Sequence, residues 1–381
     1  MNKIEETLNY QELYIKKDLY LNLICSKVDC ELERIKGGIP YYPVKGKYID
    51  LAEEDISWWT NGFFSGLLWK LYRLTNKVAY REKAIEIEKK LDTALDNFVG
   101  LHHDVGFMYL HTSVAHYRYN QNEESLLRSI KAANLLAGRF NLKGNFLRAW
   151  NEDFTGLAII DSMMNIPILY WASEELKDPR FEHIATTHAK RLAQVIIRPD
   201  GSSGHIASFN PKTGEFLGCV DGQGFSPDSC WSRGQAWAIY GFALSYRYTN
   251  NKLLLDKAIA AADYYIEKVL ETDYIPRIDF DAPEVEDDVD TSAAVIACCG
   301  LLELENYVND NQKKVYRGTV ENTLSCLLTE WCDFDNETDG ILTGGTVAYH
   351  HPEGRNVALV YSDYFLIEAL LKLNGEDVNM W

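Results

Sequence analysis

Hydrophobic positions recur along most of this chain at the spacing of an α-helix, and the alternation typical of a strand is scarce. In residues 251–270, Leu254, Ala258, Tyr265 and Val269 belong to one apolar stripe at that spacing. The same pattern predicts twelve helices, near residues 6–26, 57–76, 80–98, 104–121, 122–139, 156–174, 177–197, 231–250, 251–270, 290–307, 311–330 and 360–374.

The predicted helices alternate between two kinds. Those at 80–98 and 177–197 are charged and amphipathic, as expected of an outer layer. The other kind is apolar on nearly every side but begins with polar turns such as SWWTNG, HDVGF, IIDSMMN, CWSRGQ, DDVDTS and YSDYF. Six hairpins of one outer and one inner helix, closed on themselves, predict an all-α toroid in which the first turns of the inner helices meet at one end.

No linker and no change in composition divides the chain, so we expect a single domain over residues 1–381. Most glycines and prolines fall in the long segments 31–56, 199–229, 271–289 and 331–359. Loops of that length in a compact domain usually build a binding site.

Composition narrows the possible partners. The formal charge of -18 arises without any basic block, so nucleic acid is not an expected partner. No segment has the length and apolarity of a membrane span or an export signal, and the eight cysteines lack CxxC spacing, which together predict a cytoplasmic protein with reduced thiols. The 9 Trp, 23 Tyr and 15 Phe, many of them beside polar residues, would suit the faces of sugars.

Two aspartates stand at the predicted starts of inner helices. Asp104 and Asp161 should therefore face one cavity, and paired carboxylates serve acid and base catalysis on glycosidic substrates. The apolar neighbours of Asp161 should desolvate it strongly, so we assign this residue the role of proton donor; they are Ile159, Ile160, Met163 and Met164. The alternative is that each aspartate only caps a helix or pairs with an arginine.

The segment 204–242 adds polar and aromatic candidates. It contains His205 and Gln223, and it places Arg233 and Trp237 four residues apart on one helical face, where they suit a carboxylate and a sugar ring. The small residues Gly222, Gly224 and Gly234 indicate close approach of the backbone. A lone Arg or His is otherwise most often a structural or surface residue.

Other inner helices offer fewer candidates. Of Trp58 and Trp59, one should pack and the other line the cavity, and Asp290 and Asp363 should have capping or supporting roles. The chain has no HExxH, Walker or Rossmann pattern, so we expect neither a metal nor a nucleotide cofactor.

Several of these segments resemble signature segments of the unsaturated glucuronyl hydrolases, glycoside hydrolase family 88. They are WWTNGFFSGLLW, HDVGFMY, IIDSMMNIPILYWAS, TGEFLGCVDGQGFSPDSCWSRGQAWAIYGFALSYRYT and YSDYFLIEALLKL, and the similarity covers nearly the whole chain. The resemblance implies an (α/α)6 toroid. It also implies release of the 4,5-unsaturated uronic acid that polysaccharide lyases leave at the non-reducing end of glycosaminoglycan and related fragments.

The resemblance implies roles for single residues. Asp161 matches the aspartate that acts as general acid and then base, and Asp104 matches its partner carboxylate. The residues that match the subsite for the unsaturated sugar are Trp58, Trp150, His205, Gln223, Arg233 and Trp237. In the family chemistry, protonation of C4 leads to addition of water at C5 and then to release of the remaining sugar.

The chain departs from the family pattern before its last helix. Members that act on sulfated substrates carry an SxxSxK arrangement, whereas this chain reads HHPEGR, with His350, Glu353 and Arg355 at those places. Glu353 would repel a sulfate, so a 6-sulfated unit is not the expected substrate, while Arg355 would keep one anionic contact.

The main hypothesis is thus a cytoplasmic hydrolase, monomeric or homodimeric, that acts on an unsaturated uronic-acid oligosaccharide without cofactor, nucleic acid or membrane. A related family 105 hydrolase acting on unsaturated galacturonyl-rhamnose is the nearest alternative. A sugar epimerase on the same toroid and a non-catalytic sugar-binding protein are the alternatives from other classes.

Overall fold

A computed structural model describes residues 17–151, 154–376 and 380–381 of the chain. Its α-helices are α1 Lys17–Ile35, α2 Phe63–Thr75, α3 Val78–Lys90, α4 Asp92–Asn97, α5 Val105–Tyr109, α6 Ala115–Asn120, α7 Glu123–Ala137, α8 Pro167–Leu176, α9 Pro179–Val195, α10 Ser232–Thr249, α11 Lys252–Val269, α12 Thr291–Leu304, α13 Asp310–Cys326 and α14 Val360–Leu373. The strands are β1 Phe140–Asn141, β2 Phe146–Leu147, β3 Leu157–Ile159, β4 Ile206–Phe209 and β5 Phe216–Val220.

The helices form two concentric layers, as the alternation of apolar and amphipathic segments predicts. The inner layer consists of α2, α5 with α6, α8, α10, α12 and α14, and neighbours in this layer pack against one another around a closed ring. The outer layer consists of α1, α3, α7, α9, α11 and α13. The predicted (α/α)6 toroid of six helix pairs is confirmed, and it places the first turns of the inner helices together.

The inner segment that carries Asp161 differs from its prediction. A helix over 156–174 was expected, but Leu157–Ile159 pairs with β4 and Ile160–Met164 forms a 3-10 turn, so that α8 begins only at Pro167. Proline has no N–H to donate and is favoured in the first helical turn, which explains where this helix starts. Asp161 therefore follows a strand and does not begin an α-helix.

Two other predicted boundaries need correction. Residues 6–16 of the first predicted helix lie outside the described residues, and α1 continues to Ile35, well past the expected end at 26. Gly37, with φ 105°, follows this helix, so the first long loop begins there and not at 31. The predicted helix 104–121 is continuous but widens into a π-helical turn over Leu110–Val114.

In the antiparallel sheet β3-β4-β5, β3 belongs to the connection between α7 and α8, and β4 and β5 belong to the connection between α9 and α10. Asp161 follows β3 by two residues, and His205 directly precedes β4. Buried apolar side chains from α1 through α14 form one connected core. Among the described residues, every helix is too short or too polar to span a lipid bilayer. All eight cysteines are free thiols.

Candidate active site

The first turns of the inner segments surround a cavity of about 600 Å³. Six of the residues predicted for the site line it: Trp58, Asp104, Trp150, Asp161, Gln223 and Arg233. Further lining residues include Tyr41, Trp59, His102, His103, Asn151 and His351. The toroid thus brings together side chains that are up to several hundred positions apart in the sequence.

A larger cavity of about 860 Å³ lies between α4 and α7. Its wall includes Phe98, Leu101 and Leu135, and the charged pair Asp96 and Lys131 bridges its exposed rim. Asp96 is the one carboxyl group that the described residues contribute to its lining, so the described part of this wall lacks the paired acids that the chemistry requires. We therefore place the candidate active site in the smaller cavity.

Asp161 faces His205 across the cavity wall. Oδ2 of Asp161 lies 3.5 Å from Nε2 of His205, and neither atom has a hydrogen-bond partner among the described residues. The backbone N–H of Gln223 donates to Nδ1 of His205 at 3.0 Å, so a neutral His205 carries its proton on Nε2, toward Asp161. An unpartnered carboxylate oxygen and an unpartnered N–H are thus available to a ligand.

Asn165 fixes the position of Asp104. The backbone N–H of Phe107 donates to Oδ1 of Asn165 at 2.7 Å, which sets the orientation of the amide group. Its Nδ2 then donates to Oδ1 of Asp104 at 3.0 Å and to the carbonyl oxygen of Asp161 at 3.1 Å. One amide side chain therefore ties the two aspartates to each other.

The electrostatics distinguish Asp104. Burial raises the pKa of its carboxyl group to about 7, with the charge of Asp161 acting in the same direction and His102, Asn165 and Arg139 opposing it. Burial also lowers the pKa of both His102 and His103 to about 4, so neither ring supplies a positive charge near neutral pH.

Strong desolvation was predicted for Asp161. Its side chain is 12% exposed, the same fraction as that of Asp104, and both residues line the cavity. Its neighbours Ile160, Met163 and Met164 are fully buried in the core.

Arg233 is held rigidly at the cavity. Its guanidinium is 1% exposed and pairs with the fully buried Asp290 at 2.7 Å. It also donates to Ser292 Oγ and to the carbonyl oxygens of Thr346 and Val347. A charge buried in this way is stable because it is paired, and its position relative to a ligand is fixed in advance.

The two supporting aspartates have different roles from each other. Asp290 caps α12 through Ser292 and pairs with Arg233, as its predicted supporting role requires. Asp363 lies inside the first turn of α14 and accepts the backbone N–H groups of Ile341 and Leu342. It therefore anchors the segment before α14 and caps no helix.

Three predicted substrate-binding residues lie outside the cavity lining: His205, Trp237 and Arg355. His205 lies directly behind it, with Nε2 3.5 Å from Oδ2 of the lining residue Asp161. Trp237 is fully buried, with its ring 5.2 Å from that of Phe107 and 5.6 Å from that of Phe365. Arg355 donates to the carbonyl oxygens of Glu286 and Tyr349, so its guanidinium is engaged by the loops. The geometry thus gives neither Trp237 nor Arg355 direct access to a sugar in this cavity.

Three tryptophans and one of the predicted glycines also lie at the cavity. Trp58 and Trp59 both line the cavity, where only one was expected to. A Cβ added at Gly222 would lie 2.0 Å from Nδ1 of His205, so the predicted close approach at this glycine is toward a site residue. Trp150 meets the ring of His103 edge-on at 5.7 Å.

Sequence reasoning missed several site residues. His102 and His103 directly precede Asp104, and Asn165 lies one helical turn after Asp161, so proximity to the candidate aspartates was a usable signal. His351 belongs to the HHPEGR segment but was not selected, because only comparison with a family pattern drew attention to that segment. Tyr41 comes from a distant loop, and no local pattern indicated it.

His102, His103 and Asp104 are the described group that could hold a metal ion, since their ligand atoms lie within 4.8 Å of one another. Hydrogen bonding already accounts for these atoms. His103 uses Nδ1 on the carbonyl oxygen of Ala149 and faces Asp104 with Nε2 at 3.2 Å, and Asn165 donates to the same carboxyl oxygen. The arrangement fits a hydrogen-bonded network, and we assign no metal to it.

Asp55, Asp104 and Asp161 share a cavity with indole rings at one end of a helical toroid, and Asn165 ties the last two together. This arrangement defines the protein as a hydrolase of sugar derivatives. The model of Glycosyl Hydrolase Family 88 matches residues 33–277, and the chain belongs to this family.

Several known proteins are similar to this chain along most of its length. The unsaturated glucuronyl hydrolase of Bacillus sp. (strain GL1) is 32% identical over 332 residues, which are 85% of this chain and 88% of that protein. The unsaturated chondroitin disaccharide hydrolase of Streptococcus pyogenes serotype M1 is 31% identical over 96% of this chain and 95% of its own length. The structure of the unsaturated glucuronyl hydrolase from Streptococcus agalactiae superposes with a TM-score of 0.88, at 27% identity, and covers 100% of this chain and 98% of that one.

Proposed function

We propose that this enzyme, an unsaturated glucuronyl hydrolase by its family, releases 4,5-unsaturated glucuronic acid from the non-reducing end of lyase-generated glycosaminoglycan or related oligosaccharides. The observation that carries this proposal is the pair of aspartates in one cavity, tied together by Asn165 and bordered by Trp58 and Trp150. The names of the Bacillus and Streptococcus pyogenes relatives support the same substrate class.

Asp161 is the proposed general acid and base. Asp161 lines the cavity, and its Oδ2, buried against His205, has no hydrogen-bond partner among the described residues. Asp161 protonates C4 of the C4=C5 bond, and positive charge develops at C5 and on the ring oxygen. The same carboxylate then takes a proton from water, which adds at C5, and the resulting hemiketal opens and releases the remaining sugar.

The other site residues position the unsaturated sugar in this proposal. Trp58 and Trp150 offer ring faces, and the Nε1–H of Trp58 is unpartnered among the described residues. The Nε2–H of His205 and the buried guanidinium of Arg233 supply hydrogen bonds and positive charge for an anionic ligand. Gln223 donates from Nε2 to the carbonyl oxygen of Val347, which ties its loop to the loop that Arg233 also contacts.

The proposed substrate carries no sulfate at O6 of the second sugar. Glu353 has a side chain that is 81% exposed in the segment where sulfate-binding members carry serines and a lysine. Arg355 donates to two backbone carbonyl oxygens and not to the cavity, so it leaves that segment without a free cation for a sulfate. His351 lines the cavity at this end and is the proposed neighbour of the second sugar.

We also propose that the enzyme works in the cytoplasm, on fragments already cut by a lyase. The eight free cysteines support a reducing compartment, because disulfides persist mainly in oxidising ones.

Loss of the ultraviolet absorbance of the C4=C5 bond tests the proposal. Unsaturated disaccharides from chondroitin, hyaluronan, heparin and gellan-type polymers should be compared, each with and without 6-sulfate where it exists. We expect loss of absorbance with an unsulfated glucuronyl disaccharide and slower loss with its 6-sulfated form. No loss with any unsaturated uronide would refute the proposed function.

The alternatives predict other outcomes when unsaturated galacturonyl-rhamnose is added to the panel and the reactions are repeated in D₂O. Preferential loss with unsaturated galacturonyl-rhamnose would indicate the specificity of family 105. Uptake of deuterium at a sugar carbon without cleavage would indicate an epimerase. Binding without either change would indicate a sugar-binding protein, although two carboxyl groups in the site would then only add desolvation cost.

A further inference from the structure

The carbonyl oxygen of Ala149 is a focus of hydrogen bonds beside the site. It accepts the backbone N–H of His103 at 3.1 Å and the Nδ1 of the same residue at 2.9 Å. It also accepts Nη2 of Arg139 at 3.0 Å. Arg139 donates in addition to the carbonyl oxygens of Arg148 and Trp150, so its guanidinium holds the whole backbone turn in place.

This focus determines the tautomer of His103. A carbonyl oxygen only accepts, so Nδ1 of His103 must carry a proton, and in the neutral ring Nε2 then has only its lone pair. Nε2 lies 3.2 Å from Oδ1 of Asp104, and both side chains are buried. Two acceptors at this distance repel each other unless a proton lies between them.

We propose that His103 and Arg139 are positioning residues that hold a proton on Asp104. Asp104 donates this proton to Nε2 of His103, and Asn165 donates to the same carboxyl oxygen through its remaining lone pair. Arg139 holds the carbonyl oxygen of Ala149 in the position where it accepts the hydrogen bond from Nδ1–H of His103. Asp104 is therefore neutral in the resting enzyme.

The charged and titratable groups that act on this pair include Asp161, His102, Arg139 and, on His103, also His205. The charge of Asp161 favours the protonated form of Asp104, while His102, whose Nδ1 is 3.6 Å from Oδ2 of Asp104, and the positive charge of Arg139 favour the ionised form. Burial is the largest influence on both members of the pair, raising the pKa of Asp104 and lowering that of His103. A neutral carboxyl group that donates its proton to a neutral imidazole agrees with both pKa shifts, the raised one of Asp104 and the lowered one of His103.

The held proton has a consequence that rests on the proposed function. The substrate brings its own carboxylate into a cavity lined by Asp55, Asp104 and Asp161, and Arg233 there is already paired with Asp290. Four negative charges in one cavity would repel strongly. A neutral Asp104 removes one of them and leaves its Oδ2 as an acceptor for a sugar hydroxyl.

Infrared spectroscopy of the resting enzyme tests the proposal without substrate. The band to be followed is the part of the protonated-carboxyl C=O absorption that Asp104→Asn lacks; it should be present at pH 6 in the unmodified enzyme and be lost with a midpoint near 7. Burial also raises the pKa of Glu31 to about 8 and that of Asp363 to about 7, so their absorption should remain in Asp104→Asn and is subtracted. His103→Asn keeps a donor for the carbonyl oxygen of Ala149 but removes the acceptor for Asp104, so the midpoint should fall by about one pH unit or more. In His103→Gln, the amide oxygen can still accept a hydrogen bond from Asp104, so the midpoint should fall less.

Arg139→Lys provides a second test if the histidine variants do not fold. Lysine keeps the positive charge but not the fixed geometry, so the midpoint should fall, whereas the matched control Arg128→Lys, which pairs with Asp92 on the outer layer, should not move it. Absence of the band at pH 6, or the same midpoint in every folded variant, would overturn the proposal. Because the titration needs no turnover, a negative result in the absorbance assay would refute the proposed function and leave this result standing.

Discussion

The inner helices carry buried charges in two regions that behave differently. At their first turns, around the cavity, Asp161 Oδ2, His205 Nε2 and Trp58 Nε1 have no hydrogen-bond partner among the described residues. Further along the same layer, Glu368 of α14 accepts from Lys70 at 2.9 Å, from Trp381 Nε1 at 3.0 Å and from Tyr240. The unpartnered atoms of the first region belong to the candidate site, whereas in the second region the carboxylate of Glu368 is fully paired, although both ring nitrogens of the neighbouring His111 lack a partner among the described residues.

The two regions shift their carboxyl groups in opposite directions despite similar burial. For Glu368, burial by itself raises the pKa, but the ammonium groups of Lys70 and Lys372 reverse this and bring it to about 2. For Asp104, no cation among the described residues opposes burial from comparable proximity, and the pKa is raised to about 7. Partners, and not depth alone, thus set the pKa of a buried acid. The pKa of Asp363, which anchors a loop, is likewise raised to about 7, so a catalytic role also needs a place in the cavity.

Among the variants of the cavity region, Asp161→Asn should cause the largest loss of turnover. Without a general acid and base, turnover should fall by roughly 10² to 10⁴-fold, while the substrate still binds. Absorbance assays measure the first effect and calorimetric titration with substrate the second. Asp256→Asn, on the exposed face of α11, is the control, and an active Asp161→Asn enzyme would contradict the assigned role.

Glu368→Gln should destabilise the second region, around the buried pair of Lys70 and Glu368. It leaves Lys70 buried without its counter-charge, which should lower the free energy of unfolding by about 3 to 5 kcal/mol. Urea unfolding measures this loss, and the folded fraction should keep its turnover number. Adding Lys70→Met should recover part of the stability, and a double variant no more stable than the single one would argue against the pairing.

The stability that the pair of Lys70 and Glu368 contributes should decrease at low pH. The pKa of Glu368 is about 2 in the folded protein, below its value in the unfolded chain. The stability that it contributes should therefore be complete above about pH 4 and should be lost as the pH falls toward 2.

Asp104→Asn should show the opposite dependence on pH. Because the pKa of Asp104 is raised to about 7 in the folded protein, its ionisation costs stability as the pH rises through that value. Removing the charge should therefore stabilise the protein more at pH 8 than at pH 5, with a difference of about 2 to 4 kcal/mol at most. Thermal unfolding at both pH values measures it, and an equal change at both would mean that Asp104 is not a strongly shifted acid.

Arg355→Ala should have the smallest effect. Its guanidinium binds loop carbonyl oxygens and lies outside the cavity lining, so kcat/KM for an unsulfated disaccharide should change by no more than about twofold. Arg233→Lys, at the cavity itself, is the matched comparison and should cost far more. Equal losses in the two variants would show that Arg355 contacts this substrate.

The sequence predicted the layers of the fold well because helical periodicity records which face of a helix is buried. Residues 251–270 show this, since the apolar stripe there became the buried face of α11. It failed at 156–174, where LAII is too short for its periodicity to distinguish a strand from a helix. The pairing partner of that strand, β4, is some fifty positions away.

Site residues were predictable where a polar side chain interrupts an apolar inner segment, as at Asp104, Asp161 and Arg233. Their electrostatics were not, because the desolvation of Asp104 depends on His103 and Asn165, which only the fold brings against it. The proposed sugar contact of Trp237 shows the limit of helical spacing. That ring follows Arg233 by one turn, yet it points into the core.

The central claim is that the cavity hydrates the C4=C5 bond and thereby releases the second sugar. One reaction in D₂O, with an unsulfated unsaturated disaccharide, tests it when absorbance, released sugar and label are measured together. The account predicts that absorbance disappears in step with release and that one deuterium is delivered to C4. Release of the second sugar with the C4=C5 absorbance intact would mean ordinary hydrolysis at C1 and would contradict it.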